Sequence, residues 1–172
     1  MPRSRDKGVQ RFRAPWWRGD RGEWYVVVQV ALFALVAFGP RTLEGWPSWP
    51  PLFALVTTYA GVVLMIAGVA LAMAGLLRLG PNLTPLPYPR DDAHLVTGGP
   101  YALVRHPIYS GLIFAAFGIA LFAHGTLTVL YAATLFAFFD VKSRREERWL
   151  VERFPDYPTY ARRVKKLIPW VY

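Results

Sequence analysis

The chain has 172 residues, 54% of them hydrophobic, with 20 lysines and arginines against 11 aspartates and glutamates, a formal net charge of +9. That length suits one compact unit and excludes two independent domains of ordinary size, while apolar residues blocked into long runs exclude an ordinary soluble surface. With no cysteine, disulfides, thiolate nucleophiles, thiolate metal ligands and iron–sulfur chemistry are excluded together.

Residues 1–23 form a basic arm, with Arg3, Arg5, Lys7, Arg11, Arg13, Arg18 and Arg21 against three acids. It is too polar for a core and is expected to be flexible, with Trp16 and Trp17 able to enter a headgroup layer. The first apolar run, WYVVVQVALFALVAFG, covers 24–39. It reads as a retained anchor rather than a signal peptide, because the arm is long and no small-x-small cleavage site follows. PRTLEGWPSWPP (40–51) is an interfacial loop. The second run, Leu52 to Leu77, carries no charge, as a membrane span demands. Ala60/Gly61, Ala67/Gly68 and Ala74/Gly75 recur in it every seven residues, a small-residue stripe that lets a neighbouring backbone approach. Such a stripe serves dimerisation or packing within one chain.

Residues 78–106 read as a loop, since the prolines at 81, 85, 87 and 89 exclude a regular helix. The third run extends from Pro107 to Ala123, with Gly111, Gly118 and Gly125 again at seven-residue steps. After a tight turn at His124-Gly125, the fourth run covers Thr126 to Phe139. It is expected to continue as a polar helix to Pro155, with Asp140 pairing with Arg144. Beyond PDYP, the segment TYARRVKKLI reads as an amphipathic helix on anionic lipid. Its Tyr160, Val164, Leu167 and Ile168 share one face.

The predicted architecture is therefore an all-α integral membrane bundle of about four transmembrane helices plus C-terminal amphipathic helical segments. It divides into the arm (1–23), two N-terminal membrane helices (24–77) and a core of motif loop, hairpin and tail (78–172). Seven basic residues precede the first run and nine follow Phe139, whereas the two outer loops hold only Arg41 and His124. The positive-inside rule then puts both termini, and the loop 78–106, on the cytoplasmic side of the cell membrane. Cations beside apolar runs point to membrane lipids as partners, not nucleic acid.

GGPYALVRHPIYSG (98–111) packs polar side chains at the mouth of the third run. Pro107 suits the first turn of a helix, and His106 before it is turned away from helical dihedrals. The amides of Ile108, Tyr109 and Ser110 are then expected to face the cytoplasm with the positive helix end, beside the Arg105 guanidinium. On the fourth helix, RREERW brings Glu146 and Glu147 to the same surface. Cations opposite carboxylates could hold a zwitterion.

TGGPYALVRHPIYSG, a hydrophobic hairpin and EERWLVERFPDYPTYARR resemble the isoprenylcysteine carboxyl methyltransferase and phospholipid methyltransferase superfamily, as does the upstream LGPNLTPLPYP. The likeness covers roughly residues 79–163. It implies a membrane enzyme using S-adenosylmethionine, without a metal, to methylate a lipophilic acceptor: a prenylcysteine-type carboxylate, a phospholipid amine or a similar small molecule. Carried over by motif, Tyr101, His106, Pro107, Tyr109, Glu146 and Glu147 would contact the cofactor, and Arg105 and Glu147 would act in catalysis. The competing readings are a small transporter or scaffold and an NADPH-dependent membrane reductase. A transporter buries charge within a span, and these runs carry none.

Overall fold

The computed structural model describes residues 23–80 and 94–172. Residues 1–22 of the basic arm and the proline-rich stretch PNLTPLPYPRDD lie outside the described residues. The described residues form five α-helices: α1 (Glu23–Phe38), α2 (Pro51–Leu79), α3 (Pro107–Phe122), α4 (Thr126–Arg153) and α5 (Tyr157–Arg163), with a 3-10 turn at Gly99–Ala102. No strand occurs among them.

The boundaries follow local chemistry. Pro51 and Pro107 open α2 and α3, where the amide proton that proline lacks would have no intrahelical partner. His106 takes φ −124°, ψ 66°, the non-helical geometry imposed on a residue before proline. α3 ends where His124 turns into the left-handed region at φ 50°. α4 then runs 28 residues without glycine or proline. It stops at Phe154, which is extended (φ −119°, ψ 106°) because Pro155 follows.

α2 and α4 are long and apolar enough to cross a membrane, whereas α1 and α3 are shorter apolar helices. Leu52, Val56, Tyr59, Val63, Ile66 and Leu77 of α2 are all more than half exposed. An apolar face of this extent requires a lipid surround, so the surface is that of an integral membrane protein. The core instead lies between α1, α3 and α4, where Leu32, Val36, Ile113, Ala116, Ala132, Leu135 and Phe139 meet Leu167 from the C-terminal segment.

The glycine stripes join α2 to α3 within the chain. A Cβ on Gly68 would lie 2.6 Å from the Ala115 nitrogen, and one on Gly61 2.7 Å from the Gly118 carbonyl oxygen. The helix backbones are thus in direct contact, and this contact fixes where α3 begins relative to α2.

The C-terminal amphipathic helix expected over TYARRVKKLI forms only as far as Arg163, where α5 ends, and Val164 is extended (φ −115°, ψ 134°). The Lys165 and Lys166 carbonyls then accept hydrogen bonds from the amides of Arg105 (2.8 Å) and His106 (3.2 Å). Leu167 is fully buried, and Lys166 pairs with Asp140. Backbone partners and a core site for Leu167 outweigh the helical pattern, and Pro169 prevents its continuation.

Gly68→Leu should destabilise the α2–α3 interface by about 1–3 kcal/mol or more, whereas Ala74→Leu on the exposed face of α2 should be tolerated. Melting of the detergent-solubilised variants checks this; equal melting temperatures would show that the stripe is not the contact that matters.

Candidate functional site

Two elements meet at one end of the bundle. The bend 105–107 delivers Arg105 and His106 at the start of α3, and the polar half of α4 delivers Glu146 and Glu147. The apolar stretch of α4 ends at Phe139, and residues 140–153 form the charged half of that helix. Adjacent residues on a helix diverge by about 100°, and the two glutamates therefore have different partners.

Glu147 Oε1 accepts from Arg105 Nε at 2.8 Å and from His106 Nε2 at 3.0 Å. The same guanidinium donates through Nη1 to the carbonyls of Ala161 (2.9 Å) and Val164 (2.6 Å), tying α5 to the bend. Glu146 Oε2 accepts from the Tyr109 hydroxyl at 2.9 Å and lies 3.8 Å from His106 Nδ1. The His106 ring is stacked on Tyr109 with centroids 5.4 Å apart, and Tyr109 is stacked on Phe139 at 4.6 Å. Charge and aromatic packing thus hold the same two rings, His106 and Tyr109.

Burial pushes the Glu147 carboxyl up, but hydrogen bonds from His106 and Arg105 outweigh it and hold its pKa at about 2. Glu147 is therefore a permanent anion and a weak base. Burial pushes the phenols of Tyr101, Tyr157 and Tyr160 well above their usual range, with nearby carboxylates or a second phenol adding to it. These hydroxyls are donors at any physiological pH.

The expected residues are not all gathered in this cluster. Arg105, His106, Tyr109, Glu146 and Glu147 are brought together. Tyr101 is buried beside them, its hydroxyl 3.5 Å from the Gly75 carbonyl and its own carbonyl accepting from Tyr160 at 2.6 Å. Pro107 is buried against α2 near Gly75 and presents no polar group to the cluster. The Ser110 amide is not free as expected: it donates to the His106 carbonyl at 2.9 Å, closing the first turn of α3. The Asp140–Arg144 pair forms at 2.8 Å, and Asp140 also receives Lys166 and, at 2.7 Å, the Tyr172 hydroxyl.

Two residues of the site escaped the sequence reading. Lys142 is almost fully buried. Its ammonium donates to Gln29 of α1 at 2.6 Å and lies 5.1 Å from the Tyr109 ring centroid. Its position one turn before Glu146, on the same helix face, was the available signal. Tyr157 sits at the first position of α5 against the Arg105–Glu147 pair, and the proline-flanked PDYP gave no sign of it. Among the described residues, no group of three His, Cys, Asp or Glu is placed to hold a metal ion.

The phospholipid methyltransferase family profile matches residues 56–157. The chain is 32% identical over 150 residues to the cobalt-zinc-cadmium resistance protein CzcN of Cupriavidus metallidurans, covering 86% of this chain and 62% of that protein. It is 29% identical over 150 residues to human protein-S-isoprenylcysteine O-methyltransferase, covering 84% of this chain and 52% of the relative. The chain therefore spans between about half and two thirds of the length of these relatives. Among solved structures, a eukaryotic intramembrane Ras methyltransferase, isoprenylcysteine carboxyl methyltransferase, shares the fold with a TM-score of 0.61 at 23% identity, over 92% of this chain and 54% of that one.

Glu147 has a folded pKa below its unfolded value, so its contribution to stability is present above about pH 4.5 and is lost as pH falls toward about 2. Glu147→Gln should therefore cost about 3 kcal/mol at neutral pH, with the gap to wild type closing across that window. Melting temperatures measured from pH 7 to pH 3 check this; a gap independent of pH would contradict it.

Proposed function

From a chain that belongs to the phospholipid methyltransferase family, we propose an integral membrane methyltransferase that uses S-adenosylmethionine to methylate a lipophilic acceptor. The observation that carries this reading is the junction of Arg105, His106 and Tyr109 with Glu146 and Glu147 at one mouth of an apolar bundle. The donor set suits a charged, amino-acid-bearing ligand. Glu146 is partly exposed with one carboxylate oxygen engaged, which leaves the other for an ammonium group. Arg105 offers a guanidinium to a carboxylate.

When bound, S-adenosylmethionine supplies an electrophilic methyl group on a sulfonium. The chain's own part is to align the acceptor with that methyl and exclude water, and positioning of this kind accounts for a large share of a rate enhancement. Glu147, with its low pKa, is too weak a base to deprotonate an amine or thiol, so His106 would serve such acceptors. A carboxylate acceptor needs no base and only orientation by a cation. The polar methyl donor would enter from the aqueous side, and an apolar acceptor laterally between helices.

We further propose four crossings with both termini and the site on the cytoplasmic face of the cell membrane, as the distribution of cations requires. Because the chain has no cysteine, single-cysteine labelling tests this. Leu103→Cys and Val151→Cys should react from the cytoplasmic side and Leu43→Cys from the other; labelling of all three from one side would refute the topology.

The activity itself is tested by transfer of a labelled methyl group from S-adenosylmethionine into a total lipid extract. Wild-type protein should transfer, and Arg105→Ala and Glu147→Ala should each lower the rate on the order of 100-fold while still inserting in membranes. Near-normal turnover by both variants would refute the site.

A further inference from the structure

We infer that Tyr157 is a ligand-binding residue, donating its hydroxyl together with Arg105 to the carboxylate of the methyl donor's amino-acid end; this rests on the methyl-donor reading above. Tyr157 is 2% exposed. Its hydroxyl is shielded from solvent and makes no hydrogen bond of normal geometry; the carboxylate within its reach, Glu147, is already matched by Arg105 and His106. A buried hydroxyl left in that condition costs roughly 1–3 kcal/mol, a penalty that a bound acceptor atom would remove. The ring is held edge-on to Tyr160 with centroids 5.8 Å apart, so the hydroxyl is positioned in advance.

The surroundings specify the class of acceptor. Tyr157 lies within the fields of Arg105, Glu147 and Glu146, and burial together with Glu147 keeps its phenol protonated. It can offer a proton at neutral pH and is not a base. Arg105 uses Nε on Glu147 and Nη1 on the Ala161 and Val164 carbonyls, which leaves Nη2 without a partner among the described residues. Glu147 is already matched by Arg105 and His106, whereas Glu146 keeps one oxygen unengaged. Two spare donors and one spare carboxylate oxygen around one ion pair match the carboxylate and ammonium of an α-amino acid. They offer nothing particular to a nucleoside. Tyr157 thus reads the amino-acid end of the ligand and leaves the reacting methyl to other groups.

The test compares two probes on the full detergent-solubilised chain by calorimetry and thermal shift. S-adenosylhomocysteine carries the amino-acid group, and 5′-methylthioadenosine shares its nucleoside and thioether but lacks that group. Tyr157→Phe should bind S-adenosylhomocysteine at least tenfold more weakly, bind methylthioadenosine as wild type does, and melt without ligand at the wild-type temperature or above. Unchanged affinity for S-adenosylhomocysteine would overturn the inference, as would equal weakening of both probes. A lower melting temperature with affinity retained would assign the hydroxyl to Glu147 as a structural contact and overturn it too. Failure of the wild-type protein to bind S-adenosylhomocysteine would instead remove the methyl-donor reading on which the inference stands.

Discussion

One carboxylate oxygen, Glu147 Oε1, receives both the Arg105 guanidinium and the His106 imidazole, and the geometry of the polar mouth depends on that junction. It couples the bend before α3 to the polar half of α4 through residues 41 and 42 positions apart in sequence. The same guanidinium reaches the carbonyls of Ala161 and Val164, so α5 and the C-terminal segment are fixed by the same charge. An ion pair this sheltered is costly to break from one side, because the partner is left buried and uncompensated.

The apolar architecture serves this junction. Backbone contact through the glycine stripes sets α3 against α2, and so sets where Pro107 starts the helix and where Arg105 and His106 leave it. On α4 the change from Phe139 to Asp140 marks the end of the apolar stretch. The residues next to that boundary are shared between packing and chemistry: Phe139 supports the Tyr109 ring, and Asp140 anchors Lys166 and Tyr172. The C-terminal segment thereby lies over the back of the bend and supplies Leu167 to the core.

Much of this was legible in the sequence, for identifiable reasons. The helix limits followed from prolines and uncharged runs, which act through local sterics and hydration. The meeting of RHPxY with the two glutamates followed from a short hairpin that must return to its starting face. The fate of residues 164–172 did not follow, because alternating apolar and basic residues satisfy a surface helix as well as they satisfy a strap. Only tertiary contacts, the backbone amides of Arg105 and His106 and the core site for Leu167, decide between them. Lys142 and Tyr157 were missed for a related reason. A lysine in a charged stretch and a tyrosine in a proline-flanked turn look solvated until a partner helix covers them.

An apolar bundle holds a compact charged mouth, and the proposal is that this mouth grips a zwitterionic ligand. A structure of the protein bound to S-adenosylhomocysteine examines that claim most directly. The account predicts the ligand's amino-acid group within hydrogen-bonding distance of both Arg105 and Glu146, between the start of α3 and the polar half of α4. A ligand seated elsewhere, with Arg105, His106 and Glu147 making no contact to it, would contradict it.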